Sequence, residues 1–310
     1  MKHVIIINPI AGVNNKIKTI AKIVEESFKG LDYEVYYTKS IGDAKYFVRD
    51  YLQHYKPEDP NDDKVRFYAC GGDGTLNEVA NGTIGFKNAE FTCYPIGSGN
   101  DFVKYFGKIS DFLNFKSLIN GTVKCVDALK LNGRYVCNIF NIGLDAKVAH
   151  LQKKYKKLPL VSGKGAYNLG VVGAILSKIN YKYKIKLDGE EVYNDKVALC
   201  AICNGICYGG GYYCAPVAKV DDNLLDLCFI KKVGRITIAK LIKIYKAGKH
   251  LEDEKIKPYV FYKTGKVVEI ETEKPLYYSV DGEMGRTDKI VIEIIPDCMN
   301  FVVPNLTNNF

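Results

Sequence analysis

No stretch of this 310-residue chain approaches the roughly 20 consecutive apolar residues that a membrane-spanning helix needs. The apolar start, residues 4–7, runs at once into Asn8-Pro9, which is too short for a secretory signal. Internal repeats and low-complexity tracts are absent. The four histidines, His3, His54, His150 and His250, stand alone without ligand spacing. The tightest cysteine group, Cys200, Cys203 and Cys207, has no second pair at zinc-ligand spacing and reads as part of a strand. Other cysteines, such as Cys70, Cys93 and Cys228, sit in apolar stretches, as buried thiols do in a reducing compartment. No aromatic–basic nucleic-acid motif is present. These absences predict a cytoplasmic protein that touches, at most transiently, the inner face of the cell membrane.

What is present is apolar and basic. Hydrophobic residues make up 47% of the chain, enough to bury the cores of two domains of ordinary size. The net charge of +9, from 44 Lys and Arg against 35 Asp and Glu, fits either attraction to an anionic surface or a lysine-rich background.

The first third alternates. Residues 4–7, 33–38, 65–70 and 91–96 read as short apolar strands, and helical patterns lie around 17–28, 43–55 and 76–81. This alternation predicts a parallel sheet covered on both faces, with ligands at the carboxyl ends of the strands. Three strand ends carry unusual loops: Asn8-Pro9-Ile10-Ala11-Gly12, Gly71-Gly72-Asp73-Gly74-Thr75, and Gly97-Ser98-Gly99-Asn100-Asp101. The middle one joins strand to helix through glycine, where backbone N–H groups and the missing Cβ atoms make room for phosphate. Asp73 would repel phosphate unless a cation stood between them, which points to a nucleotide–Mg²⁺ site. A tight turn with Asp73 capping the helix is the plainer alternative.

Helical stretches at 102–105 and 111–119 close the first unit, Asn120-Gly121 stops it, and alternation follows. Asn132-Gly133 and Asp188-Gly189 sit between alternating runs as hairpin turns. Further strands are expected at 183–187, 196–202, 225–230, 266–271 and 290–295, with helices near 146–157, 166–179 and 236–248. The expected architecture is an α/β domain with a parallel sheet over 1–122, then an antiparallel β-sandwich over 123–310. The extreme C-terminus is allowed to pack back on the first domain.

Read together, these segments resemble the diacylglycerol kinase catalytic-domain family in its soluble bacterial lipid-kinase form, akin to sphingosine and ceramide kinases. The resemblance rests on Asn8-Pro9 with Gly12, on Gly71 to Thr75 with Asn77-Glu78 and Asn81-Gly82, and on Gly97 with Asn100-Asp101-Phe102. It continues through Asn141, Gly143 and Asp145-Ala146, through Gly210-Gly211, Pro216, Ala218, Asp222 and Asp226, and through Asp281-Gly282-Glu283. It implies an NAD kinase/diacylglycerol kinase-like fold with the active site in the cleft between domains. It implies that Asn8, Pro9, Ile10, Ala11, Gly12 and Thr38 line an ATP site. Gly72, Asp73, Gly74, Thr75, Leu76, Asn77 and Glu78 would cradle the phosphates, with Ser98 and Asn100 beside them. Asp73 and Asp101 would hold Mg²⁺, directly or through water. Lys219, Asp222 and Leu224 match a structural metal site, and Glu283 matches the base that deprotonates the lipid hydroxyl. Lys104 stands where arginine is frequent, and Asn223 where glycine is usual.

The reaction so implied is ATP-dependent phosphorylation of a lipid hydroxyl, diacylglycerol to phosphatidic acid. The chemistry is consistent, since phosphoryl transfer needs a nucleotide cradle, charge neutralisation and a positioned base. Alternatives are an NAD kinase acting on a soluble dinucleotide, another lipid alcohol (sphingoid base, ceramide, phosphatidylglycerol), and a lipid-binding protein without catalysis. The run Lys153-Lys154-Tyr155-Lys156-Lys157 is either a membrane contact or a solvated lysine face. Relatives of this kind often dimerise, so a homodimer is a further expectation.

Overall fold

The hydrophobic run at residues 4–7 becomes a strand because parallel strands covered on both faces need apolar side chains at every position. The computed structural model describes residues 1–12, 16–57, 59, 62–155, 163–281 and 283–306. Its first part is β1 (Lys2–Ile7), α1 (Lys16–Ser27), β2 (Tyr33–Tyr37), α2 (Asp43–His54), β3 (Val65–Gly71), α3 (Asp73–Thr83), β4 (Ala89–Pro95), α4 (Phe115–Ile119) and β5 (Thr122–Leu131). The strands run parallel in the order β2-β1-β3-β4. β3 and β4 are buried along their whole length. In register, Ile7 pairs with Tyr37 and Cys70, and Gly71 with Pro95, so four strands end at one level. The loops that leave them meet at one edge of the sheet.

The opposite edge is fixed by a buried ion pair. Arg66 donates to Glu90 at 2.7 and 2.9 Å, and to the carbonyls of Leu118 and Ile119, both at 2.8 Å. One planar group thus joins β3, β4 and the end of α4. The helix expected over 111–119 is two pieces, a 3-10 turn at Ile109–Phe112 and then α4. Asn114 caps α4 by accepting from Ser117 N, which starts a new helix. Near the chain's end Phe301 pairs with Phe91 beside β4, and Thr92 donates to Val302 O at 2.8 Å.

The second part comprises β6 (Arg134–Val136), β7 (Ile139–Gly143), α5 (Leu144–Tyr155), α6 (Gly163–Leu176), β8 (Tyr181–Leu187), β9 (Glu190–Cys203), β10 (Leu225–Lys231), α7 (Arg235–Lys246), β11 (Val260–Gly265), β12 (Val267–Val280) and β13 (Glu283–Val303). The pairings among these strands are antiparallel. β9 pairs with β8 through its first half and with β7 through its second, and β12 divides its length the same way. Two long strands therefore serve both layers of a sandwich. Phe140, Ile142, Tyr183, Ile202, Phe229 and Ile292 belong to the core between the layers. A second core, including Ile139, Leu199, Ala201, Ile238, Leu241 and Tyr245, lies under the helices. Both foreseen hairpin turns have two left-handed residues, Asn132 and Gly133 at φ +50° and +75°, Asp188 and Gly189 at +52° and +86°.

β11 and the far halves of β12 and β13 lie outside the expected strands. Glu273-Lys274-Pro275 breaks the alternation in β12, and the pairing with β13 shifts register between Glu271 and Leu276. The strand survives this bulge and continues to Val280. The chain divides into two compact units, 1–127 with 296–310, and 128–295. β5 leads from the first to the second and β13 leads back. Among the described residues no helix is long and apolar enough to cross a membrane.

Candidate active site

In the first unit the strand-end loops are bound to one another by side chains of the motif. Asn8 N donates to Cys70 O at 3.0 Å, and Asn8 Oδ1 accepts from Ile10 N at 3.1 Å, turning the chain over Pro9. Its Nδ2 donates to Thr75 Oγ1 at 3.0 Å, so the first loop is tied to the first turn of α3. Thr38 is buried at the end of β2, its N–H on Ile7 O.

Glycine is required where two of these loops touch. A methyl group on Gly97 would lie 2.4 Å from Gly72 Cα, and one on Gly71 would lie 2.3 Å from Thr75 Oγ1. Ile96 N and Gly97 N both donate to Gly71 O. Gly72 is the extended N-cap residue of α3, and Asp73 is the first residue of the helix, not its cap. Gly74 stands exposed in the first turn, where backbone N–H groups have no acceptor within the helix. An anion is the natural partner for such groups.

Asp73 is spent on the neighbouring loop. Its Oδ2 accepts from Asn100 N at 2.7 Å and its Oδ1 from Asp101 N at 2.6 Å. Burial, and secondarily the Asp101 charge, pushes its carboxyl above the usual carboxylate range, while the loop N–H groups oppose this. Asp101 is buried and accepts from Lys104 at 2.5 Å. A methyl on Gly99 would lie 2.6 Å from Asp73 Oδ2 and 3.3 Å from Asp101 Oδ2, so the two carboxylates flank a cradle kept open by glycine. Asn100, at φ +50°, buries an Oδ1 with no hydrogen-bond partner. Hard oxygen donors around a small gap suit Mg²⁺. Among the described residues no three His, Cys, Asp or Glu side chains gather around one point. Ser98 is exposed in the same loop.

Three expected phosphate contacts turn away from the cradle. Leu76 is buried in the core, and its N–H closes a helical bond to Gly72 O. Asn77 is buried and accepts from Asn81 Nδ2 at 3.2 Å. Glu78 accepts from Gly42 N at 2.8 Å and Ala44 N at 3.2 Å, satisfying the start of α2 across the unit. These residues form the frame of the turn and not its lining. Glu78→Ala is therefore expected to lower stability by about 1–2 kcal/mol, the scale of a lost helix cap. A denaturant midpoint measures that loss. Nucleotide affinity, compared where both proteins are folded, should change little.

In the second unit, Asp281 at φ +39° accepts from Cys137 N at 2.9 Å and Ile139 N at 3.3 Å. It clamps the tip of the β12–β13 hairpin to the entry of β7. Gly282 lies outside the described residues. Glu283 opens β13 opposite Val280, half exposed and ion-paired with Arg134. Arg134 has no functional signal in the sequence beyond a charge directly after the Asn132-Gly133 turn.

Residues 219–224 form the turn that leads into β10. Asn223 takes φ +63°, and Asp222 Oδ1 accepts from Leu224 N at 3.2 Å. Beside it, burial pushes the Asp226 carboxyl up to about 6, while the Tyr262 hydroxyl, 2.6 Å away, pulls it back. Lys219 is exposed. Asp145 is also raised to about 6 by burial; Tyr208 donates to its Oδ2, and its Oδ1 has no partner. Asn141 Oδ1 is likewise buried without a donor. Of the basic run, Lys153 and Lys154 end α5, and Lys156 and Lys157 lie outside the described residues.

Comparison with known proteins agrees with this division. Residues 2–131 match the diacylglycerol kinase catalytic domain, and residues 138–303 match the YegS C-terminal NAD kinase beta sandwich-like domain. A diacylglycerol kinase of Bacillus subtilis is 27% identical over 258 residues, 81% of each chain. One from Staphylococcus carnosus is 27% identical over 255 residues, covering 81% of this chain and 80% of its own. The crystal structure of a Bacillus anthracis diacylglycerol kinase, 24% identical, shares the fold with a TM-score of 0.69 over 98% of this chain and 97% of that one. The chain is a kinase, and it belongs to the family in which a diacylglycerol kinase catalytic domain precedes a YegS C-terminal NAD kinase beta sandwich-like domain.

Proposed function

We propose that this kinase transfers the γ-phosphoryl group of ATP to a hydroxyl of diacylglycerol, giving phosphatidic acid. The observation that carries the nucleotide half is the cradle itself: Gly72 and Gly97 in backbone contact, with Asp73 holding the Asn100–Asp101 loop. Asn8, Pro9, Ile10, Ala11, Gly12 and Thr38 bind the nucleotide, and the backbone of Gly72, Gly74 and Thr75 receives its phosphates. Ser98 and Asn100 stand beside them. Asp73, Asp101 and the unpartnered Asn100 Oδ1 are the groups that would hold Mg²⁺. When bound, that ion neutralises charge on the transferring phosphate. Lys219 and Leu224, through their carbonyls, and Asp222, through its carboxylate, would hold a second, structural cation.

Glu283 takes the proton of the acceptor hydroxyl as the oxygen–phosphorus bond forms and ADP leaves. Incubation with γ-labelled ATP tests this directly, with diacylglycerol micelles, total lipid extract or NAD as acceptor and the product identified by mass. Labelled phosphatidic acid is expected. Label on NAD and none on lipid overturns the reading; label on a different lipid corrects the acceptor alone.

A further inference from the structure

Two helices of the second unit leave apolar side chains in solvent that no described part of the chain covers. On α6, Leu169, Val172 and Leu176 are exposed at helical spacing, Leu176 by 70%. On α7, Ile236 is 76% exposed, and Ala239, Lys240 and Lys243 continue the same outward stripe. Between them runs a shallow groove of about 830 Å³, lined by Ile175, Leu176, Ile236, Ala239 and the stems of Lys240 and Lys243. Arg235 fastens the two helices together, donating to Ile175 O at 3.0 Å and Ser177 O at 3.3 Å. The paired surface is therefore a fixed face.

Its charge is one-sided. Residues 146–187 and 227–251, which include both helices, contain no Asp or Glu. Residues 231–250 alone hold seven basic side chains: Lys231, Lys232, Arg235, Lys240, Lys243, Lys246 and Lys249. An apolar stripe bordered by lysines is how a helix lies on an anionic bilayer, with its apolar side chains among the acyl chains and its ammonium groups at the phosphates. A second copy of this chain fits poorly, because apposing two such faces brings like charges together.

We infer that the α6–α7 face docks this kinase on an anionic phospholipid surface. The inference rests on the proposed lipid substrate for its purpose, but its test does not depend on turnover. Near an anionic leaflet each lysine raises partition about fivefold. Ile236→Glu/Lys240→Glu/Lys243→Glu should therefore weaken co-sedimentation with phosphatidylglycerol-containing phosphatidylcholine vesicles by at least roughly thirtyfold. Lys153→Glu/Lys154→Glu should lose much less. Wild-type binding should fall sharply without phosphatidylglycerol and at high salt, where the screening length shrinks to about 3 Å.

The chain contains no tryptophan, so Ile236→Trp supplies a single reporter. Its emission should shift to the blue on addition of the anionic vesicles and be quenched by brominated lipid. Unchanged binding of the triple variant, equal binding to neutral vesicles, or an unshifted Ile236→Trp signal overturns the proposal. So does self-association that the triple variant abolishes without any vesicle binding by the wild type. Activity on micellar diacylglycerol in neutral detergent is measured separately. Vesicle binding without that activity refutes the substrate and leaves the docking face standing.

Discussion

Asp73→Ala is expected to leave a folded protein whose phosphoryl transfer is lower by about 10²–10³-fold. The carboxylate does more than carry charge. Its two oxygens accept from the consecutive N–H groups of Asn100 and Asp101, which makes it the fastening of the Gly97–Asp101 loop to the start of α3. Asn100 is held at φ +50° with a buried, unpartnered Oδ1, a conformation that persists only while its surroundings impose it. Without Asp73 both N–H groups lose a charged acceptor, Asn100 relaxes, and the donors grouped around Gly99 disperse. Asparagine should not rescue the site, because it replaces one acceptor by an NH₂ that faces an N–H donor. Steady-state kinetics give the loss of turnover, and hydrogen exchange at Asn100 and Asp101 reports the loop. Faster exchange together with lost turnover is the expected pair. Near-normal turnover of Asp73→Ala would remove the residue from the proposed machinery.

The glycine-bounded strand-to-helix turn proposed for the nucleotide is legible in the sequence because its determinants are local. A strand apolar at every position but Arg66, the glycines at its end and a helix that follows at once are all contained in residues 65–83. The same local reading cannot tell which motif residues face the cradle. Glu78 lies about one and a half helical turns from Asp73, yet it reaches α2 and caps Gly42 and Ala44, a partnership set by helix packing. Long-range pairs are hidden for the same reason. Asn8 meets Thr75 across 67 residues and Arg134 meets Glu283 across 149, and no periodicity records either. In the sandwich, both Asn/Asp-Gly hairpins were readable because two left-handed residues demand that chemistry. The second half of β12 is hidden in the sequence because Glu273-Lys274-Pro275 carries a bulge that sheet pairing tolerates and alternation does not. The stripe of α7 was visible as a helix, but the exposure of Ile236 depends on what the fold leaves uncovered.

The second large effect is expected at Glu283. Glutamine has the same shape and can still accept from Arg134, but it cannot take up a proton at neutral pH. Glu283→Gln should therefore lower kcat by about 10²–10⁴-fold, the range a positioned general base contributes. Because the carboxylate is half exposed, its pairing with Arg134 adds little to stability, and the unfolding midpoint should barely move. The KM for ATP should also hold, since the residues proposed to bind the nucleotide all belong to the first unit. Arg134→Met should cost less than Glu283→Gln, because it frees the carboxylate to rotate without removing it. The double variant should be no slower than Glu283→Gln alone, since an orienting group has no further effect once the base it orients is gone. Additive losses would instead assign Arg134 a separate role. Near wild-type kcat in Glu283→Gln on the identified lipid would place the base elsewhere, and the unpartnered carboxylate oxygen of Asp145 would be the next to test.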